Sequence, residues 1–164
     1  MLNDKQKEKE RLKKDRLKLR AMTVKKKKQF SRSKLVAEAD RVFSLYIRGR
    51  DAWKPCCTCG TAWQENFQCG HFMSRRHYLT RWLHKNAHGQ CPKCNLYWSW
   101  EQYKHSVYIN HNYFPTTADF ITELSTKTDK TTDSELLSTI QHYYRKCFEL
   151  GIEYKPKKQF LTQI

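Results

Sequence analysis

"NAHGQCPKCN", residues 86–95, decides how this chain is read, because it carries the second half of a cysteine framework. Its Cys91-x-x-Cys94 pair answers Cys56-x-x-Cys59 in "PCCTCG", residues 55–60, across an interval of 31 residues. Zn²⁺ has no directional preference of its own and binds thiolates well, so four such sulfurs predict one tetrahedral structural site. Gly60 and Asn95 follow the two pairs and suit tight turns, whose backbone N–H groups can hydrogen-bond the sulfurs. Three further cysteines remain. Cys57 sits inside the first pair and could compete as a ligand, Cys69 lies beside His71, and Cys147 falls on an apolar helix face.

The composition fits a small stapled fold. Of 164 residues, 38% are hydrophobic and 29% charged, so the core is modest and a metal would help hold it. The formal net charge is +16, which favours a partner with a phosphate backbone over a small neutral substrate. No apolar run is long enough to span a bilayer and the start is no signal peptide, so no membrane partner and a reducing cytoplasm are expected. The cysteines then read as thiols or metal ligands.

Three regions are expected: a basic arm over 1–30, helical or disordered; a core over 31–112; and a C-terminal helical extension with a basic tail over 113–164. The arm's densest charge is Lys25, Lys26, Lys27 and Lys28, which could tether DNA through its phosphates. "SRSKLVAEADRVFSLYIRGR" predicts an amphipathic helix on Leu35, Val36, Ala39, Val42, Phe43, Tyr46 and Ile47, capped by Ser31 or Ser33 and ended by Gly49. A short two-stranded element is expected through "NFQCGHFMS", then a helix from about Ser99 to Ile109 broken by "HNYFP". A short helix capped by Thr116 or Thr117 follows. A last amphipathic helix carries Leu136, Leu137, Ile140, Tyr143, Tyr144, Cys147 and Leu150, with Ser134 as cap and Gly151 as stop. Trp98 and Trp100 read as core closers more than stacking groups. His105, His111 and His142 belong to no motif.

The interval between the cysteine pairs is unusual for a ribbon that only binds. It holds His71, His77, His84 and His88, with Arg75, Arg76, Arg81 and Asn86. Metal-assisted phosphodiester cleavage uses such groups: an imidazole to take a proton from water, a divalent ion to stabilise the leaving oxygen, arginines to position phosphates. The pattern Pro55-Cys56-x-x-Cys59-Gly60, Gly70-His71-Phe72, Arg81-Trp82, Asn86-x-His88-x-Gln90-Cys91-x-x-Cys94-Asn95 resembles the phage NinG/Rap recombination endonucleases. Those belong with the HNH, or His-Me finger, nucleases and with resolvases of the endonuclease VII type. The resemblance covers about residues 30–110.

It implies an α+β chain with a zinc-stapled ββα-metal core flanked by helices, acting as a metal-dependent endonuclease on branched or recombining phage DNA in the host cytoplasm. By match to the family motif, His71 is the general base, Asn86 the middle Asn that orients the loop, and Asn95 a ligand of a catalytic Mg²⁺ or Mn²⁺. His88 matches a family His as metal ligand or phosphate contact. The residues also admit His71 as a ligand, with His77, His84 or His88 as partner. Where relatives carry an acidic residue before Gly-His or after Arg-aromatic, this chain has Gln68, Leu83 and His84, and the nearest carboxylates are Glu65 and Glu101. A junction cutter would act as a homodimer, for which the last helix offers an apolar face. The rival expectation is a zinc-containing DNA- or RNA-binding module without catalysis.

Overall fold

The computed structural model describes residues 8–14, 30–97, 102–128 and 130–154. The chain divides into two units, Met1–Ser31 and Arg32–Ile164. In the first, residues 8–14 are an exposed helical stretch; Lys25, Lys26, Lys27 and Lys28 lie outside the described residues, as do Trp98, Trp100 and Glu101. The second unit mixes helices with one small sheet, an α+β arrangement. The expected core over 31–112 and extension over 113–164 share this unit.

Helix α1, Arg32–Arg50, buries Leu35, Ala39, Val42, Phe43 and Ile47, the stripe its spacing predicts. It runs through Gly49 rather than stopping there. Gly49 is needed for space: a Cβ at this position would lie 2.1 Å from Cδ1 of Ile152. Arg50 then ties the helix end to the sheet, donating from Nη1 to the His84 carbonyl and from Nη2 to the Ala87 carbonyl, each at 2.8 Å.

Strand β1, Gln68–His71, pairs antiparallel with β2, Ala87–Gln90, so the partner of the "NFQCGHFMS" segment lies well downstream rather than within it. Gln68 faces Gln90, Cys69 faces Gly89, Gly70 faces His88 and His71 faces Ala87. Side chains alternate along a strand, so His71 and Cys69 share one face with Ala87 and Gly89, and His88 points to the other. The first face meets α1, where the Phe43 and His71 rings are 5.7 Å apart. The other meets α3, Gln102–Asn112, through His88, His105 and Tyr108. Between the strands run the short helix α2, Tyr78–Arg81, and a 3₁₀ turn, His84–Asn86.

After β2 the chain makes one π turn, Lys93–Tyr97. Helix α3 runs on to Asn112, three residues beyond the expected end, before Tyr113–Pro115 break it. Helix α4, Thr117–Thr126, is capped from α3: the Ala118 N–H donates to Asn110 Oδ1 at 2.9 Å. Thr116 makes no side-chain cap bond, and Thr117 Oγ1 accepts from the Phe114 N–H instead. Ile109, Ala118 and Ile121 close a small core with Phe72.

Helix α5, Asp133–Glu149, starts at Thr132 rather than Ser134, in a capping box with Glu135. It ends as predicted at Gly151, whose φ of 66° is the left-handed conformation glycine adopts without a Cβ clash. There the Ile152 N–H donates to the Cys147 carbonyl and the Gly151 N–H to the Phe148 carbonyl, each at 3.0 Å. The apolar face of α5 packs along α1: Tyr143 meets Phe43 edge-on at 4.8 Å, and Cys147 Sγ lies 3.8 Å from the Val42 carbonyl oxygen. That face is therefore filled within the chain. Among the described residues, no helix is long and apolar enough to cross a membrane.

Candidate metal centre and the pocket beside His71

Cys56, Cys59, Cys91 and Cys94 converge, with their sulfurs all within 4.8 Å of one another. The turn after the first pair is closed by the Gly60 N–H on the Cys56 carbonyl, the turn after the second by the Asn95 N–H on the Cys91 carbonyl. The Cys91 N–H donates to Cys56 Sγ at 3.4 Å, and the Thr61 hydroxyl sits 3.1 Å from Cys59 Sγ. Burial pushes the Cys59 thiol up, but the Thr61 hydroxyl and backbone hydrogen bonds outweigh it and hold the thiol down to about 6. Four soft donors with hydrogen-bonded sulfurs fit a tetrahedral metal such as zinc. Cys57 is not among them. It is buried one residue along, its N–H on the Gly89 carbonyl, and burial raises its thiol far above the usual range.

The same element positions a second feature. Beyond Phe67, which packs on the cysteines, a pocket of 660 Å³ opens between α1 and β1. Ser44 and Arg48 line it from α1, Glu65 and Gln68 from the strand approach, His71 from the strand end, and Arg75 and Asn95 from the flanks. His71 and Asn95, 24 residues apart in the chain, thus share one cavity. Asn95 Nδ2 donates to Gln68 Oε1 at 2.6 Å, which leaves the lone pairs of Asn95 Oδ1 free of that bond.

His71 Nε2 is 3.0 Å from the Arg81 carbonyl oxygen. A carbonyl only accepts, so Nε2 carries the proton and Nδ1 keeps its lone pair. Burial lowers the His71 pKa, and the nearby Arg75 charge adds to this; the Arg81 carbonyl and Asp40 pull the other way without offsetting it. The ring is neutral at pH 7. Cys69 lines the pocket too, but burial pushes its thiol up to about 12, so it is no nucleophile.

Asn86 is fully buried and holds the 72–86 loop together. Its Oδ1 accepts from the Met73 N–H at 2.7 Å, and its Nδ2 donates to the Met73 and Thr80 carbonyls at 3.0 and 2.9 Å. It touches no solvent and orients the backbone on which His71 depends, including the Phe72 N–H bonded to its own carbonyl.

Other expected site residues lie elsewhere. His88 is buried on the opposite sheet face, with Nδ1 3.0 Å from His105 Nε2 and Nε2 3.2 Å from the Tyr113 hydroxyl. Strand parity puts it there, so it shares no site with His71. His105, which no motif singles out, is its buried hydrogen-bond partner. Arg81 is held inside the fold: its Nε and Nη2 donate to Asp40 at 2.9 and 2.6 Å, and its Nη1 donates to the Arg75 carbonyl. It braces the loop instead of facing solvent. Arg75 is exposed at the pocket and Arg76 is exposed beside His77. Neither His77 nor His84 lines the pocket.

No motif singles out Asp40, Asp51 or Arg48. Asp40 also accepts from the Trp82 indole N–H at 3.0 Å. Asp51 accepts from the Gly89 N–H and from Arg50, tying α1 to β2. Arg48 follows Ser44 by one helical turn beside the buried stripe, and that spacing was the available signal.

The model of the family "Bacteriophage Lambda NinG protein" matches residues 2–153, nearly the whole chain. The chain belongs to the NinG family. Among its curated relatives, protein ninG of Escherichia phage 933W is 32% identical over 83 residues, covering 50% of this chain and 39% of the relative. Protein ninG of Escherichia phage lambda is 32% identical over 82 residues, covering 49% and 38%. The aligned stretch therefore spans about two fifths of these NinG proteins. No solved structure matches.

Proposed function

We propose that this chain is a metal-dependent DNA endonuclease of the HNH class that acts on branched or recombining phage DNA. The observation that carries the proposal is a neutral His71, held by a backbone carbonyl, at an open pocket flanked by Arg48 and Arg75. On this reading β1 with His71, the turn ending at Asn86, β2 and the helical turn with Asn95 would form the ββα element of such nucleases. Water would lose a proton to His71 Nδ1 as its oxygen bonds to phosphorus. The bond from phosphorus to the leaving ester oxygen then breaks. Arg48 and Arg75 would hold the phosphate.

A divalent ion would be held by Asn95 Oδ1 and the Glu65 carboxylate, residues that line the same pocket, with Gln68 fixing the Asn95 amide. Such oxygen donors suit Mg²⁺ and Mn²⁺ alike. Such an ion would stabilise charge on the leaving oxygen. His71 has one lone pair, so as the base it is not also a ligand.

The second reading, a zinc-containing nucleic-acid-binding module without catalysis, draws on the Gln68–Asn95 pair, two amides satisfying each other at the place where relatives carry an acid. Incubation of the zinc-loaded protein with a labelled four-way junction and a matched duplex, with Mg²⁺, Mn²⁺ or EDTA, separates the two. Divalent-dependent cutting that disappears in His71→Ala while binding persists is the expected result. Tight binding with no cutting under either ion favours the binding module. A homodimer at the junction would use a surface other than the apolar face of α5, which is buried on α1.

A further inference from the structure

Trp53 breaks two rules at once. It is 81% exposed, and its φ of 69° is left-handed backbone that costs an L-residue about 1 kcal/mol relative to glycine. Little burial offsets that strain. The turn that imposes it is rigid: the Ala52 N–H donates to the Gly49 carbonyl and the Lys54 N–H to the Asp51 carbonyl. Asp51 itself is buried, fixed by Arg50 and by the Gly89 N–H at 3.0 Å. Strained, exposed and rigidly mounted side chains are found where something is to be contacted.

Trp53 does not stand alone. Its ring centroid lies 4.5 Å from that of Trp63, with 40° between the planes. Trp63 is half-buried and packs on the cluster of Cys56, Phe67, Cys91 and Cys94. The metal centre thus backs Trp63, Trp63 backs Trp53, and much of Trp53 is left to solvent. Phe67 belongs to that cluster and also lines the pocket beside His71, so one buried ring links the two features. Lys54 follows Trp53 with its side chain half-exposed.

We propose that Trp53, backed by Trp63, is a stacking platform for an unpaired nucleobase. A net charge of +16, with Arg48 and Arg75 in the pocket that Phe67 also lines, favours a polyanion over a protein partner. Every base offers a π face, so the platform is indifferent to sequence. It distinguishes structure instead, because paired bases have both faces covered by their neighbours. Forks, junction arms and single strands expose a face, and intact duplex does not. The inference rests on the nucleic-acid reading above and is independent of cleavage.

The test is equilibrium binding without added divalent ion, using a fork with 2-aminopurine in its unpaired arm and a duplex of equal length. Trp53→Ala and Trp53→Gly should weaken fork binding about tenfold, lose the 2-aminopurine quenching, and leave duplex affinity unchanged. Trp53→Phe should retain most of both signals. Thermal melts should show Trp53→Gly at least as stable as the parent, since the exposed ring is lost and the backbone strain relieved. Equal loss for fork and duplex, or unchanged quenching in Trp53→Gly, overturns the platform. If that result comes with intact divalent-dependent junction cutting, only the platform falls. A parent protein that binds neither DNA overturns the platform and the nucleic-acid reading together.

Discussion

At the residue scale, Asn86 and His88 show how far one side chain can be understood from its type and place. Asn86 uses both ends of its amide on a loop that has no sheet to satisfy its backbone. Asn86→Ala would leave the Met73 N–H and two carbonyls without that partner in a buried setting. The expected loss is about 2–4 kcal/mol of unfolding free energy in urea, with junction cutting lost as His71 is released. A variant as stable as the parent would show that the loop is held by other bonds. His88 has a different consequence. Burial pushes its pKa down from 6.5 to about 2, and burial with the His71 charge pushes His105 down to about 4. Both rings are neutral in the folded state, so the stability they carry is complete above pH 6.5 and is lost as pH falls toward 4. The two rings are in hydrogen-bond contact, so they respond to acid as a pair. Arg50 and Lys54 oppose protonation and Asp51 favours it. The pH dependence of unfolding should flatten in His105→Gln relative to the parent between pH 6.5 and 4. Matching slopes would remove the pair from the acid response. The motif made both residues candidates. Only the register showed that residue 88 lies on the face away from His71, and a two-residue period cannot be phased without knowing which residues pair.

At the element scale, the legible parts were those with a local cause. The stripe on α1, the stripe on α5 and the Gly151 stop follow from spacing and from a residue with one special conformation. The caps were misplaced because they depend on partners. Thr132 outcompetes Ser134 through Glu135, and α4 takes its cap from Asn110 on another helix. The cysteine module was legible for a third reason, since sulfur ligands have few other uses in such spacing. Three of the four residues in its small core are cysteines, joined by Phe67. Without a metal this core has little apolar area to hold it. One zinc per chain is expected by elemental analysis. Cys91→Ser, or removal of the ion with a strong chelator, should lower the melting temperature and release the β1–β2 pairing, seen as loss of amide exchange protection at Phe72, whose N–H donates to the Asn86 carbonyl next to the paired strands. A metal-free protein with unchanged melting would make the four cysteines a thiol cluster and no metal site.

At the scale of the whole molecule, the proposed function would divide the work between charge, for affinity, and pocket, for selectivity. Residues 1–30 hold 13 Lys and Arg against 4 Asp and Glu, so most of the net +16 precedes α1. Charge on a chain segment neutralises phosphates whatever their sequence or branching, and each one neutralised releases counterions. On the proposed function, the pocket beside His71 and the aromatic pair would contact only a few nucleotides, too few to set the overall salt dependence. Replacing Lys25, Lys26, Lys27 and Lys28 with Gln in the full chain should therefore reduce the slope of log K against log salt by about 3.6 on duplex if each holds one phosphate. The same change should appear on a junction, because the lost contacts do not distinguish the two. The ratio of junction to duplex affinity should stay where it was, and so should the positions of cutting. An unchanged slope would remove these lysines from the interface. A fall in the ratio would place branch recognition in the arm, and the His71 pocket would then act on whatever the arm delivers.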